Sequence, residues 1–158
     1  MISIFESPFK LTSLQDELAY KFIKEFSRFE FALKRAGYCK QQGNKLIVEW
    51  WRFAEYNSKK YNPIPGEISY LVDNPPLRQM KINGALDWQP IENRPSTITL
   101  KWLLTAVYTV RNNLFHGGKW TTKSEVSRDE SLILAARFAI ALALNADADV
   151  LNYYKDPI

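Results

Sequence analysis

The residues with the most chemical potential lie together in Arg111-Asn112-Asn113-Leu114-Phe115-His116-Gly117-Gly118. His116 is the only histidine of the chain. Its type has a reference pKa of about 6.5 and gives or takes protons at neutral pH. Arg111 offers a planar, permanently charged fork matched to phosphate oxygens. Asn112 can orient a phosphate or a hydroxyl. Together they suit proton transfer beside a stabilised anion. Arg111 also stands where a charge is costly. On an ideal helix of about 100° per residue, Leu104, Val107 and Leu114 fall within about 40° of Leu100. Arg111, at roughly 20°, lies inside that apolar stripe. A guanidinium there must be paired, or must face a cleft or a partner chain, because burying it alone costs several kcal/mol.

Glu30 flanks the apolar stripe of the first helical segment and is the expected partner and supporting residue for Arg111. The ideal helix separates Arg111 from His116 by about 140°, and Asn112 from His116 by about 40°. Arg111 and His116 therefore converge only if Gly117-Gly118 frays the last turn or if they meet across a dimer cleft. Each residue also has a plainer reading. His116 before two glycines suits a helix C-terminus and its dipole. Asn113 reads as a solvent-facing residue near a helix end. Trp50, Trp51 and Trp102 could stack bases, but core packing is their default. Lys119, Lys123 and Arg128 could contact phosphates, and scattered surface charge accounts for them nearly as well.

Four helical segments must position these groups. The first runs from about Thr12 or Ser13 to Ala36, with Ser13 as N-cap, Asp16 and Glu17 in the first turn and Gly37 as the stop. Leu18, Phe22, Phe26, Phe29 and Leu33 form its buried stripe. The second spans about Lys45 to Ser58. The third runs from about Ser96 to Phe115, with Pro95 before it and Gly117-Gly118 after it. The fourth begins near Ser127, where Ser127-x-x-Glu130 reads as a capping box. Its stretch from Leu132 to Leu144 is apolar nearly all round and predicts a central buried helix. A short final turn covers Ala148 to Tyr154. Between the second and third segments, Tyr61 to Pro95 holds six of the eight prolines. That density forbids a long helix and reads as an irregular insertion with room for a short hairpin. The expected fold is an all-α, up-and-down bundle of four main helices, forming one domain over residues 1–158.

With 158 residues, 46% of them hydrophobic and 14% aromatic, the chain can build one sizeable core and does not read as disordered. Its net charge of +4 fits a polyanionic partner, as it fits many proteins with none. Cys39 is alone, so no internal disulfide can form and a cytoplasmic setting is expected. One Cys and one His cannot make a His/Cys zinc site, so neither metal nor cofactor is expected. No run of 18 apolar residues occurs, so no membrane association is expected.

Arg111-Asn112-x-x-x-His116 resembles the Arg-x4-His motif of the HEPN superfamily. Phe26-Ser27-Arg28-Phe29-Glu30-Phe31-Ala32-Leu33-Lys34 resembles the aromatic-acidic first helix of many members. The resemblance implies a helical domain acting as a metal-independent endoribonuclease, with Arg111, Asn112 and His116 catalytic and Lys119 and Lys123 against RNA. It implies a homodimer, since one histidine per chain requires a second copy for two-histidine chemistry. A role in defence or as a toxin would follow, with a cognate inhibitor protein as a further partner. Members paired with nucleotidyltransferase antitoxins often carry a tyrosine two residues after the histidine. Gly118 stands there, which puts that pairing in doubt. The runner-up is a non-catalytic HEPN module binding RNA or a protein. The third reading is a helical bundle in which Arg-x4-His is coincidence.

Overall fold

The computed structural model describes residues 16–91, 93–115 and 123–156, with the side chains of 123–126 outside that description. The chain runs α1 (Asp16–Arg35), β1 (Cys39–Gln42), β2 (Lys45–Val48), α2 (Trp50–Asn57), β3 (Lys60–Tyr61), a 3-10 turn (Gly66–Ile68) and α3 (Ser69–Asp73). It continues through β4 (Leu77–Ile82), β5 (Ala85–Pro90), β6 (Ile98–Thr99), α4 (Leu100–Phe115), α5 (Lys123–Leu144) and α6 (Ala148–Lys155).

The expected all-α four-helix bundle is therefore wrong. Among the described residues six helices are joined by three separate two-stranded antiparallel sheets, β1–β2, β3–β6 and β4–β5, and the fold is mixed α and β. Two causes are local. Lys45–Val48 belongs to a hairpin rather than a helix, pairing Cys39↔Val48 through Gln42↔Lys45. Gly43 turns it with φ +58°, a conformation that only glycine adopts freely. The Pro-rich stretch holds the short hairpin for which it has room, preceded by the 3-10 turn and α3. Asn83 and Gly84, at φ 50° and 82°, make the two-residue turn that Asn-Gly favours and close β4 on β5.

From Asp16 on, helix α1 follows its predicted pattern, and the expected N-cap Ser13 lies outside the described residues. Phe22, Phe29 and Leu33 are wholly buried, with Leu18 and Phe26 nearly so. Gly37, at φ +86°, ends it. Its N–H donates to the Lys34 carbonyl at 3.0 Å while the Tyr38 N–H donates to Leu33 at 2.9 Å. That paired bonding satisfies the last carbonyls.

The most enclosed helix is α4, not the fourth segment. Leu100, Leu103, Leu104, Ala106 and Val107 have no exposure, and Val110, Asn113 and Leu114 are buried. It starts later than its sequence predicts, at Leu100, because Thr99 caps it by accepting the Trp102 N–H at 3.2 Å. Helix α5 is buried on one side only, for Leu134 and Phe138 are 43% and 48% exposed. Ser127 lies inside α5, so it is not the N-cap expected of a capping box; its carbonyl accepts the Ser131 hydroxyl at 2.9 Å. Arg137, within the apolar run, meets Glu25 of α1 through two bonds of 2.7 Å, which locks α5 against α1. Among the described residues no single helix is long and apolar enough to cross a membrane.

Asp147 closes the bundle. It caps α6 by accepting the N–H groups of Asp149 and Val150 at 3.0 and 3.2 Å, and it accepts the Tyr38 hydroxyl at 2.8 Å. Asp147→Ala should lower stability by about 1–2 kcal/mol, the range for a lost N-cap. Asp147→Asn should retain most of it. Urea unfolding of the two variants measures the difference.

Candidate functional site

The Arg111 side chain crosses from core to surface on α4. Its guanidinium carbon lies 5.5 Å from the ring centre of Phe26 on α1 and 4.6 Å from that of Phe115. Phe26 is 2% exposed and Phe115 is 54% exposed, so a core ring and a surface ring bracket the charge. Both distances lie within the reach of a cation–π attraction. Nη1 donates to the Asn112 side-chain oxygen at 3.0 Å. Nε is buried with no hydrogen-bond partner. Arg111 thus sits on the buried stripe as its position predicts, and ring faces plus a neutral amide hold it there.

The expected Glu30–Arg111 ion pair is absent. Among the described residues no carboxylate lies within ion-pair distance of Arg111. Glu30 instead accepts the Tyr108 hydroxyl at 3.2 Å. Tyr108 interacts with both. Its ring stacks on Trp50 at 4.7 Å and meets Phe26 edge-on at 4.8 Å. Burial drives its pKa far up, Glu30 adds to that, and the Arg111 charge opposes it. Glu30 and Arg111 therefore communicate through one buried phenol.

Asn112 is exposed beside Arg111. Asn113, expected to face solvent, is 3% exposed. Its amide donates to the Leu77 carbonyl at 2.7 Å and ties the end of α4 to β4. His116 and Lys119, and the side chain of Lys123, lie outside the described residues. Arg128 donates to the Pro75 carbonyl at 3.2 Å and so has a structural contact where a phosphate contact was an option. Trp102 is core, at 3% exposure. Trp50 is held by Tyr108, and Trp51 meets Trp50 edge-on at 6.0 Å with the Lys40 ammonium 5.6 Å from its ring centre. Among the described residues no three His, Cys, Asp or Glu side chains gather as a metal site would need.

Two contributors escaped the sequence reading. Tyr108 offers no signal, being one aromatic among many. Asp129 does: it precedes Leu132, Ile133 and Ala136 on the inward face of α5. It is 5% exposed, and with Asn113 and Leu114 it lines a small cleft between α4 and α5. It is the same anomaly as Arg111, an ionisable group on an apolar stripe.

Two outcomes follow. Asn113→Ala should cost about 0.5–1.5 kcal/mol by removing the bond to the Leu77 carbonyl, and hydrogen exchange in β4 and β5 should rise more than in α1. Tyr108 should stay protonated in the folded chain. Because its folded pKa lies above the unfolded value of about 10, its contribution to stability is present below that pH and lost as pH rises beyond it. Tyr108→Phe should flatten this alkaline loss, measured by thermal melts across pH 9–11. In comparisons with protein-family models, with curated proteins and with solved structures, the chain matches none of them.

Proposed function

We propose that the chain is an endoribonuclease of HEPN type that works without a metal and as a homodimer. The observation that carries the reading is the guanidinium of Arg111, held in place by Phe26 and Phe115 and not neutralised by any described carboxylate. A fixed, unneutralised arginine at a half-buried position is an anion site in waiting. The two segments that carry the resemblance also meet, for Phe26 lies under Arg111 and Glu30 bonds Tyr108.

The chemistry follows from the groups. The ribose 2′-oxygen attacks the adjacent phosphorus as its proton leaves to a base. The bond to the 5′-oxygen breaks as that oxygen takes a proton from an acid. The products are a 2′,3′-cyclic phosphate and a 5′-hydroxyl, and no oxidant or co-reactant is needed. His116 serves a proton step, and the second copy of the chain supplies the second histidine. Arg111 stabilises charge on the phosphorane, and Asn112, bonded to it, orients the phosphate. Lys119 and Lys123 follow the motif in sequence and would steer the RNA backbone.

Purified protein should cut RNA in EDTA and should spare a substrate with a 2′-deoxy nucleotide at the scissile position. His116→Ala should lower the rate on the order of 10²–10⁴-fold while the chain stays folded. Arg111→Lys should rescue poorly, because it loses the planar fork. Cleavage by His116→Ala at the parental rate would rule out the proton-transfer role. RNA binding without cleavage would favour a binding module instead.

A further inference from the structure

The β4–β5 ribbon leaves apolar side chains exposed on both of its faces. An isolated two-stranded hairpin is marginally stable in water, and this one exposes Leu77, Met80, Ile82 and Leu86 at 38%, 43%, 37% and 69%. Its register pairs Ile82↔Ala85, Met80↔Asp87 and Arg78↔Gln89. The pair flanking a two-residue turn exchanges both hydrogen bonds, and the pattern alternates from there. Ile82, Met80 and Arg78 therefore spend their backbone groups on β5, while Lys81, Gln79 and Leu77 direct theirs outward. Pro90, opposite Leu77, has no N–H to give, which agrees with this phase.

The two edges differ. On β5, the outward N–H of Trp88 is taken by the Asp87 carboxylate at 2.8 Å, and Pro90 has no donor. That edge keeps a single outward donor, the Leu86 N–H opposite Lys81. On β4, the Leu77 carbonyl is taken by Asn113 at 2.7 Å. Gln79 and Lys81 remain, with their outward N–H and carbonyl groups bonded to no described residue. The open edge is thus two residues wide and centred on Met80.

We propose that this edge pairs with the same edge of a second copy, β4 against β4 antiparallel, to make a four-stranded sheet. The match is self-complementary. A two-fold axis at Met80 sets Gln79 opposite Lys81 of the second copy and Lys81 opposite its Gln79. All four outward N–H groups then find carbonyls, no lysine faces a lysine, and the two Met80 side chains meet at the centre. Ile82 then packs beside Arg78 of the other copy. The seam uses a patch of stated symmetry, as closed dimers require, and leaves the Asn113–Leu77 bond intact. It is argued from hydrogen bonding alone and does not rest on the nuclease reading. It does not by itself join the two motifs, because six residues of strand rise set Leu77 and its copy about 20 Å apart.

Cross-linking tests the register. In a Cys39→Ser background, which removes the only native cysteine, Met80→Cys places two thiols opposite each other. The Cα separation would be about 4.5 Å, within disulfide reach. Ile82→Cys would be about 14 Å from its copy, at four residues of strand rise, and should not link. Mild oxidation should give a covalent dimer with the first and not with the second. Gln79→Pro should shift the sedimentation of the chain from dimer to monomer. Proline there removes only an outward donor and is tolerated on an edge. Equal linking by both cysteines, no linking by Met80→Cys, or a dimer untouched by Gln79→Pro would overturn the seam. Cleavage activity is read separately: a linked dimer that does not cut RNA would sink the nuclease and leave the seam standing.

Discussion

A helix enclosed on nearly every side can carry a charge only near its end, and α4 obeys that constraint. From Leu100 to Val107 its inward and lateral faces are filled by aliphatic side chains and Trp102 with almost no exposure. Only at Arg111 does a side chain reach far enough to place a guanidinium beyond the core. The stem is dehydrated and the head is fixed, which suits a side chain with a long apolar body and a planar charged tip. The rest of the site follows from that enclosure. Phe26 packs beneath the head because α1 brings its phenylalanine stripe there. Tyr108 fills the turn before it, and Asn113 fastens the turn after it to β4.

The energetic logic is one of substitution. An arginine on an apolar stripe invites a buried carboxylate, yet the ion pair would have to repay two desolvation costs. Ring faces repay part of one cost and leave the charge available to a ligand. Glu30 is kept near but occupied by a phenol. The arrangement sets a negative and a positive group near one buried tyrosine, and the two shift that tyrosine in opposite directions. It holds the guanidinium in place without quenching it.

Much of this was legible in the residues. The stripe of α1, its glycine stop, the helix carrying Arg111 and the partial burial of Arg111 all follow from periodicity and capping. The strands did not follow, for reasons particular to them. Leu46-Ile47-Val48 is too short to distinguish strand from helix by period, and Trp50-Trp51 continues it into a real helix. Gly43-Asn44 was the signal that separated them. Asn83-Gly84 was a stronger one, hidden among prolines that spoke only against helix. The fourth segment misled in the opposite way. A run from Leu132 to Leu144 that is apolar all round predicts full burial, but small alanines on the inward side let α5 pack closely on one face and leave Leu134 and Phe138 outside. Glu30 failed as a direct partner because it takes the Tyr108 hydroxyl instead, and no spacing rule reports that phenol.

The proposed function depends on whether Arg111 receives a phosphate. The most direct measurement is the Nε–H resonance of Arg111, assigned by its loss in Arg111→Lys, on titration with a short RNA whose scissile nucleotide is 2′-deoxy. The buried Nε should give a slowly exchanging signal in the free protein. The account requires that signal to shift as the RNA binds, saturating with the same affinity as the complex itself. A resonance that stays fixed while RNA binds, or a chain that binds no RNA at all, would contradict it.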